Sequence, residues 1–359
     1  MSQNIKTATR SRRGTNRVTM EDVAAHARVS ASSVSLFLRN PTAVSPRIAP
    51  RIKRAIDALG YVPNKLAGSL AAARTRAIGV VIPRLGRAFF AETVSAMQTE
   101  FDRCGYQLLL GATEYDPARE ADLVKTFLSW SPAALVVTGC HHDEATHTLL
   151  RRTNVPVAEM WELGDEPFDL QVGFSHHAAG EAIASHLHSL GLTRIAFVGA
   201  NMTRDLRAAQ RRDSFCSWFS QRSIDVFVVD LPSSASHAAG GHALTIALDA
   251  MPDIEAIACL NDAMALGVMF EAQRRGLRIP DDLAVAGFGD LPFSQVCVPP
   301  LTTIQPHAST IGLRVARELL RRLDAENGES ASNAPKVVDV GFELIAREST
   351  RRFRDCSSQ

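Results

Sequence analysis

The sequence predicts an all-α head with a helix-turn-helix, followed by an α/β body of parallel sheets covered by helices. Two patterns carry this reading. Residues 1–76 hold 14 Lys and Arg against three acids, a net charge of +11, while the remainder is net −10 and the whole chain only +1. Beyond the head, apolar strand-like runs alternate with helical segments. A basic head on an acidic body points to a polyanionic partner for the head alone.

The 359 residues suffice for two to three domains, and 46% hydrophobic residues can build sizeable cores. No apolar run reaches the roughly 18 residues of a membrane span. Met1 to Arg17 is polar and basic and reads as a disordered tail, without the apolar segment of a secretory signal. Cys104, Cys140, Cys216, Cys259, Cys297 and Cys356 form no C-x-x-C pair. They read as reduced thiols, and with the missing signal they place the chain in the cytoplasm.

The helix-turn-helix unit is expected over residues 18–63. Thr19 precedes Met20-Glu21-Asp22, a capping sequence whose acids favour the positive end of a helix. Val23, Ala24 and Ala27 give that helix its apolar face. After the break at Arg28-Val29, Ser30 caps a second helix from Ala31 to Leu38, with Val34, Phe37 and Leu38 turned inward. Asn40-Pro41 stops it. Ser45-Pro46 starts a third, which runs to about Leu59 and ends at Gly60. The second helix would enter a major groove, where the row Ser32, Ser33 and Ser35 can bond bases or phosphates. Residues 64–76 read as a linker helix too short to be stable alone.

The body begins at Ala77. Strand-like runs fall at Ala77 to Pro83, Tyr106 to Leu110, 134–137, 194–199, 224–229, 256–259, 283–287 and Val337 to Phe342. Their alternation with helices, the first from Phe89 to Gly105, implies parallel sheets covered on both faces. Residues 324–335 are polar and acidic and read as a surface loop.

The runs V-T-M-E-D-V-A and V-S-A-S-S-V-S, with L-G-Y-V-P-N at Leu59 to Asn64, resemble the LacI/GalR family of bacterial repressors, to about Glu348. The resemblance implies a periplasmic-binding-protein type I body over 77–349, made of two doubly wound subdomains. The N-subdomain would span about 77–173 and 305–337. The C-subdomain would span about 174–304 and 338–349, with a tail over 350–359. It implies operator DNA as partner, with phosphate contacts from Thr19 and Ser30 and base reading by Ala31, Ser32 and Leu36. Family members usually carry Arg at the position of Leu36, so the operator would depart from the usual consensus. Residues Asn64, Lys65, Leu66, Ala67 and Leu70 match the hinge helix of the family, Leu70 being the minor-groove wedge.

An effector would lie between the subdomains, at strand ends. Candidates for that site are Arg84, Arg87, Phe89 and Phe90 at the first helix start, Trp161 and Glu162 after a strand, Arg211, Asn261 and Asp290; Phe89, Phe90 and Trp161 either contact the ligand or pack in the core. Arg204, Arg207 and Arg212 are either ligands or solvated, and Asp262 either contacts the ligand or caps a helix. The family usually has Asp where Gly289 stands. Asp290 replaces it, or the pocket avoids a carboxylate because its ligand is anionic. The stretches F-L-R-N-P, V-I-P-R-L, F-A-E, F-L-S-W and V-G-F resemble the gluconate-repressor branch, which implies gluconate or a ketogluconate as effector. A phosphorylated sugar or a purine corepressor is the alternative. No leucine heptad follows Glu348, so a homodimer is expected.

Nothing points to an enzyme, since no P-loop, G-x-S-x-G or G-x-G-x-x-G is present. An exported binding protein would lack the head. The pairs His141-His142, His176-His177 and His186/His188 read as solvated, so no metal or cofactor is expected.

Overall fold

A computed structural model describes residues 18–62, 75–325 and 334–351. The chain falls into two compact units, Met1–Ala73 and Arg74–Gln359. In the first, α1 (Met20–Ala27) and α2 (Ala31–Arg39) pack with α3 (Ala49–Leu59). Val23, Val34 and Ile52 are fully buried among them. Thr19 and Asp22 close a reciprocal capping box on α1, and Ser30 caps α2, each cap contributing about 1 kcal/mol. The third helix starts later than expected. Ser45 and Pro46 form a preceding turn, with the Ile48 and Ala49 amides donating to the Ser45 carbonyl.

The second unit contains two six-stranded sheets. The first lobe holds β1 (Ala77–Ile82), β2 (Gln107–Ala112), β3 (Ala134–Thr138), β4 (Val157–Met160), β5 (Leu170–Gly173) and β11 (Lys336–Asp339). Its order is β11-β5-β4-β3-β1-β2, all parallel. Helices α4 (Ala88–Arg103), α5 (Pro117–Ser129), α6 (Glu144–Arg152) and α11 (Ala308–Ala325) accompany it. The second lobe holds β6 (Ile195–Ala200), β7 (Val226–Leu231), β8 (Ala256–Cys259), β9 (Ala284–Phe288), β10 (Thr302–Gln305) and β12 (Glu343–Ile345). The order there is β12-β10-β9-β8-β6-β7, with β12 antiparallel. Helices α7 (His176–Ser189), α8 (Leu206–Ser220), α9 (His237–Ala250) and α10 (Asp262–Arg274) flank it. The inner strands β3, β4, β5, β6, β8 and β9 are buried throughout, whereas the edges β2, β7 and β11 are partly exposed. Burial on both faces is why inner strands appear as unbroken apolar runs.

Three passages of the chain link the lobes: after β5, after β10, and between β11 and β12. The last corrects the single strand expected over Val337 to Phe342. That run is cut at Val340 and Gly341, where Gly341 takes φ +65° and the chain moves from one sheet to the other. The body also reaches past the expected boundary at 349. Thr350 is buried and its hydroxyl lies 2.8 Å from that of Thr302 and 2.8 Å from His186 Nε2.

Candidate nucleic-acid interface and ligand cleft

In the head, Ala31, Ser32 and Leu36 are exposed along one side of α2, Ser33 and Ser35 half-buried, and Val34 fully buried. The side expected to read bases is therefore free of the core. The hydroxyls of Thr19 and Ser30 are engaged within the head. Thr19 Oγ1 accepts from the Asp22 amide and donates to Asp22 Oδ2 at 2.7 Å. Ser30 Oγ accepts from the Ser33 amide and lies 2.8 and 2.9 Å from the hydroxyls of Ser32 and Ser33. Arg28 occupies the turn in a left-handed conformation, φ +52°, at a cost of about 1 kcal/mol for a residue other than glycine. Arg51 closes that turn by donating to the carbonyls of Ala27 and Arg28 at 2.7 and 3.3 Å. Asn64, Lys65, Leu66, Ala67 and Leu70 lie outside the described residues.

In the body, the C-terminal ends of β1, β2 and β3 and the start of α8 enclose a cavity of about 290 Å³. Pro83, Thr113 and Thr138 face it from the first lobe, and Arg204, Leu206 and Arg207 from the second. Polar contacts cross between the lobes nearby. Arg84 Nη1 donates to Ser234 Oγ at 3.0 Å, and Arg207 Nη1 to the Thr138 carbonyl at 3.5 Å. Gln210 Nε2 donates to Glu162 Oε1 at 2.6 Å. Tyr115 donates to Asp205, and burial together with that carboxylate pushes the phenol well above its ordinary range.

Arg211 lies one helical turn beyond Arg207, on the same side of α8. It is buried, its guanidinium 3.8 Å from the centre of the Phe288 ring. It donates to His176 Nδ1 at 2.8 Å, to the Arg207 carbonyl at 3.2 Å and to the Leu260 carbonyl at 3.2 Å. Because an arginine only donates, His176 Nδ1 must accept, and its Nε2–H donates to the Trp161 carbonyl at 2.7 Å. Burial, then the charges of Arg211 and Arg207, hold this imidazole well below its ordinary pKa. Burial lowers Arg211 to about 10, still a cation at neutral pH.

Several expected ligand contacts are placed elsewhere. Phe90 and Trp161 are buried, packed 5.2 Å from each other and 4.7 and 5.1 Å from half-buried Phe89. Trp161 thus offers no open face for stacking, although its indole nitrogen is buried without a hydrogen-bond partner. Asn261 uses its side-chain oxygen to cap α10, accepting from the Met264 amide at 3.0 Å. Asp262 does not cap α10, since Asn261 does, and its carboxylate is buried. It pins β10 and the loop after β9 by accepting from Thr303, Ser294 and the Leu291 amide, yet burial raises it to about 6. Asp290 gives its carboxylate to Arg347 at 2.7 Å and Gln305 at 2.8 Å. It lines a second cavity, with Glu92 and His307. A side chain at Gly289 would instead begin 3.6 Å from Phe89, so one residue of offset redirects the carboxylate. Arg84 pairs with Glu114 at 3.0 Å and Arg87 is half-buried just before α4. Arg212 is paired with Asp213.

The first-lobe wall of the cavity holds Tyr115 and Glu120, which sequence reasoning passed over, and His141 and His142, which it read as solvated, beside Glu162. The expectation of solvated histidines fails at His142, whose side chain is 1% exposed and lies 3.1 Å from Glu120. It fails equally at His176. Cys140, His141 and Glu162 approach closely, although His141 and His142 were expected to be solvated. Glu162 is distant in sequence and reaches the pair only because β3 and β4 are neighbours.

Residues 19–64 match the bacterial regulatory proteins of the lacI family, and residues 184–350 match a periplasmic binding protein-like domain. The HTH-type transcriptional regulator GntR of Pseudomonas aeruginosa is 33% identical over 340 residues, 94% of this chain and 97% of its own length. The crystal structure of a LacI-family regulator from Silicibacter pomeroyi superposes with a TM-score of 0.87 at 28% identity, covering 93% of this chain and all of its own. That of the transcription regulator GntR from Chromobacterium violaceum has a TM-score of 0.71 at 35% identity, over 76% of this chain and 99% of its own. With the capped helix pair of the head and the two-lobed body, these likenesses identify the chain as a member of the LacI family of DNA-binding transcriptional regulators, which are not enzymes.

Proposed function

We propose that this regulator is a cytoplasmic homodimeric repressor that releases its operator when gluconate or a related aldonate enters the cleft. The observation that carries this reading is the arrangement of the 290 Å³ cavity, with Arg204 and Arg207 on one wall and Thr113, Thr138, Tyr115 and Glu120 opposite. Cations on one side suit a carboxylate, and hydroxyls and acids on the other suit a polyol chain. Arg207 is the first contact in this scheme, and buried Arg211 and His176 hold the start of α8 and α7 behind it. This moves the expected role of Arg211 one turn along its helix. The purine alternative finds little support, because Phe90 and Trp161 are spent in the core.

The effector acts through its different affinities for the operator-competent and operator-incompetent states. A ligand seated between the lobes competes with or reinforces these polar bridges, and so changes how the lobes meet. Calorimetric titration of the full chain against gluconate, 2-ketogluconate, glucose and a purine tests the ligand class. The expected result is binding of the acids alone, weakened in Arg207→Ala by about 10- to 100-fold, the worth of a charge-assisted hydrogen bond. If neither acid binds at millimolar concentration, the ligand class is wrong.

A further inference from the structure

We propose that Cys140, His141 and Glu162 form a binding site for a divalent transition metal of the zinc class on the first-lobe wall of the cleft. The three donor atoms lie within 4.8 Å of one another, and no other such group of three occurs among the described residues. Cys140 Sγ is 3.4 Å from His141 Nδ1, which is 3.0 Å from Glu162 Oε1. Tetrahedral zinc, with bonds of about 2.3 Å to sulfur and 2.0–2.1 Å to nitrogen or oxygen, sets its ligands roughly 3.3–3.6 Å apart. The Sγ–Nδ1 separation already fits, the Nδ1–Oε1 separation needs to open by a few tenths of an ångström, which half-exposed His141 can supply, and the third pair lies within 4.8 Å.

The chemistry of the donors points the same way. Thiolate, imidazole and carboxylate together favour zinc and its neighbours over magnesium or calcium, which prefer oxygen alone. The carboxylate is already oriented, because Glu162 Oε2 accepts from the Cys140 amide at 3.2 Å. On binding, the Cys140 thiol gives its proton to solvent and the thiolate takes the metal. His142, in the same wall, is not one of these donors: its Nδ1 is held by Glu120 and its Nε2 lies 3.9 Å from Glu159 Oε1. Three protein donors leave one coordination position for water or a ligand oxygen. The metal also bears on the lobes, since it would draw on the Glu162 oxygen that now accepts from Gln210 of the second lobe.

Cobalt(II) added to the metal-free full chain supplies the test. One equivalent should produce a thiolate-to-cobalt charge-transfer band and intense tetrahedral ligand-field bands, both displaced by zinc. Cys140→Ser should abolish the charge-transfer band, whereas Cys104→Ser, at an exposed thiol, should keep it. His141→Ala alters an exposed side chain, so it remains informative if Cys140→Ser disturbs packing; it should weaken binding at least about tenfold. Absence of the charge-transfer band, or its persistence in Cys140→Ser, would overturn the site. Neither readout involves an aldonate, so this site and the effector assignment fail separately.

Discussion

The two lobes of the body share one strand plan, but they bring opposite charge to the cleft. The first lobe presents Glu120 and Glu162 beside His141 and His142; the second presents Arg204 and Arg207, with Arg211 beneath. The ends of β2, β3 and β4 supply the positions in the first lobe and the end of β6 those in the second, and the side chains placed there decide what each wall does. Burial also divides the two walls. Arg211 is sealed by His176, Phe288 and the Leu260 carbonyl, so it serves architecture first. Arg207 is half-buried, borders the cavity, and reaches the opposite lobe only through one long hydrogen bond.

That contrast can be broken experimentally. The largest expected effect is Arg211→Ala, which strands His176 Nδ1 and the Leu260 carbonyl in the interior. It should cost about 2–4 kcal/mol of stability in denaturant unfolding. A loss below about 0.5 kcal/mol, the size expected at an ordinary surface position, would refute the architectural role. Next in size is Tyr115→Phe, which removes the bond to Asp205 across the cleft. It should shift aldonate affinity by about three- to tenfold, the worth of one net hydrogen bond; unchanged affinity would mean that the bridge does not sense the ligand.

The smallest effect is a pH dependence. His176 titrates near the ordinary 6.5 when unfolded but well below it when folded. The unfolded chain therefore binds the proton first, and stability falls as pH drops below about 6.5. Asp262 works in the opposite sense: raised to about 6 from 3.8, it takes up a proton first in the folded state and favours folding as pH falls through that window. His176→Gln can still accept from Arg211 and donate to Trp161. It should therefore destabilise less than wild type between pH 6.5 and 5 in parallel unfolding titrations; identical slopes would remove His176 from the account.

The head was legible because its signals are local. Thr19, Ser30 and Gly60 cap neighbouring turns, and Val23, Val34 and Ile52 follow helical spacing. The parallel sheets were legible because strands buried on both faces leave apolar runs. The cleft was harder. Asp290 and the vacant position Gly289 differ by one residue, and only the backbone direction after β9 shows that Asp290 turns to Arg347. Arg207 and Arg211 look alike in Q-R-R-D-S-F and its approach, yet one lines the cavity and the other is sealed. The run Val337 to Phe342 hid a passage between sheets, because strand propensity carries no record of which sheet a strand joins. Glu162 reaches Cys140 and His141 only through strand pairing, which no spacing in the sequence encodes.

The central claim, that Arg207 reads an acid effector while the head holds the operator, is tested most directly by operator release. Mobility-shift or anisotropy titrations with gluconate and 2-ketogluconate should release wild-type protein from its operator. Arg207→Ala should still bind the operator in the absence of effector, yet need about 10- to 100-fold more acid for half-release. A mutant that releases at the same concentration as wild type would contradict the account, even with the repressor architecture intact.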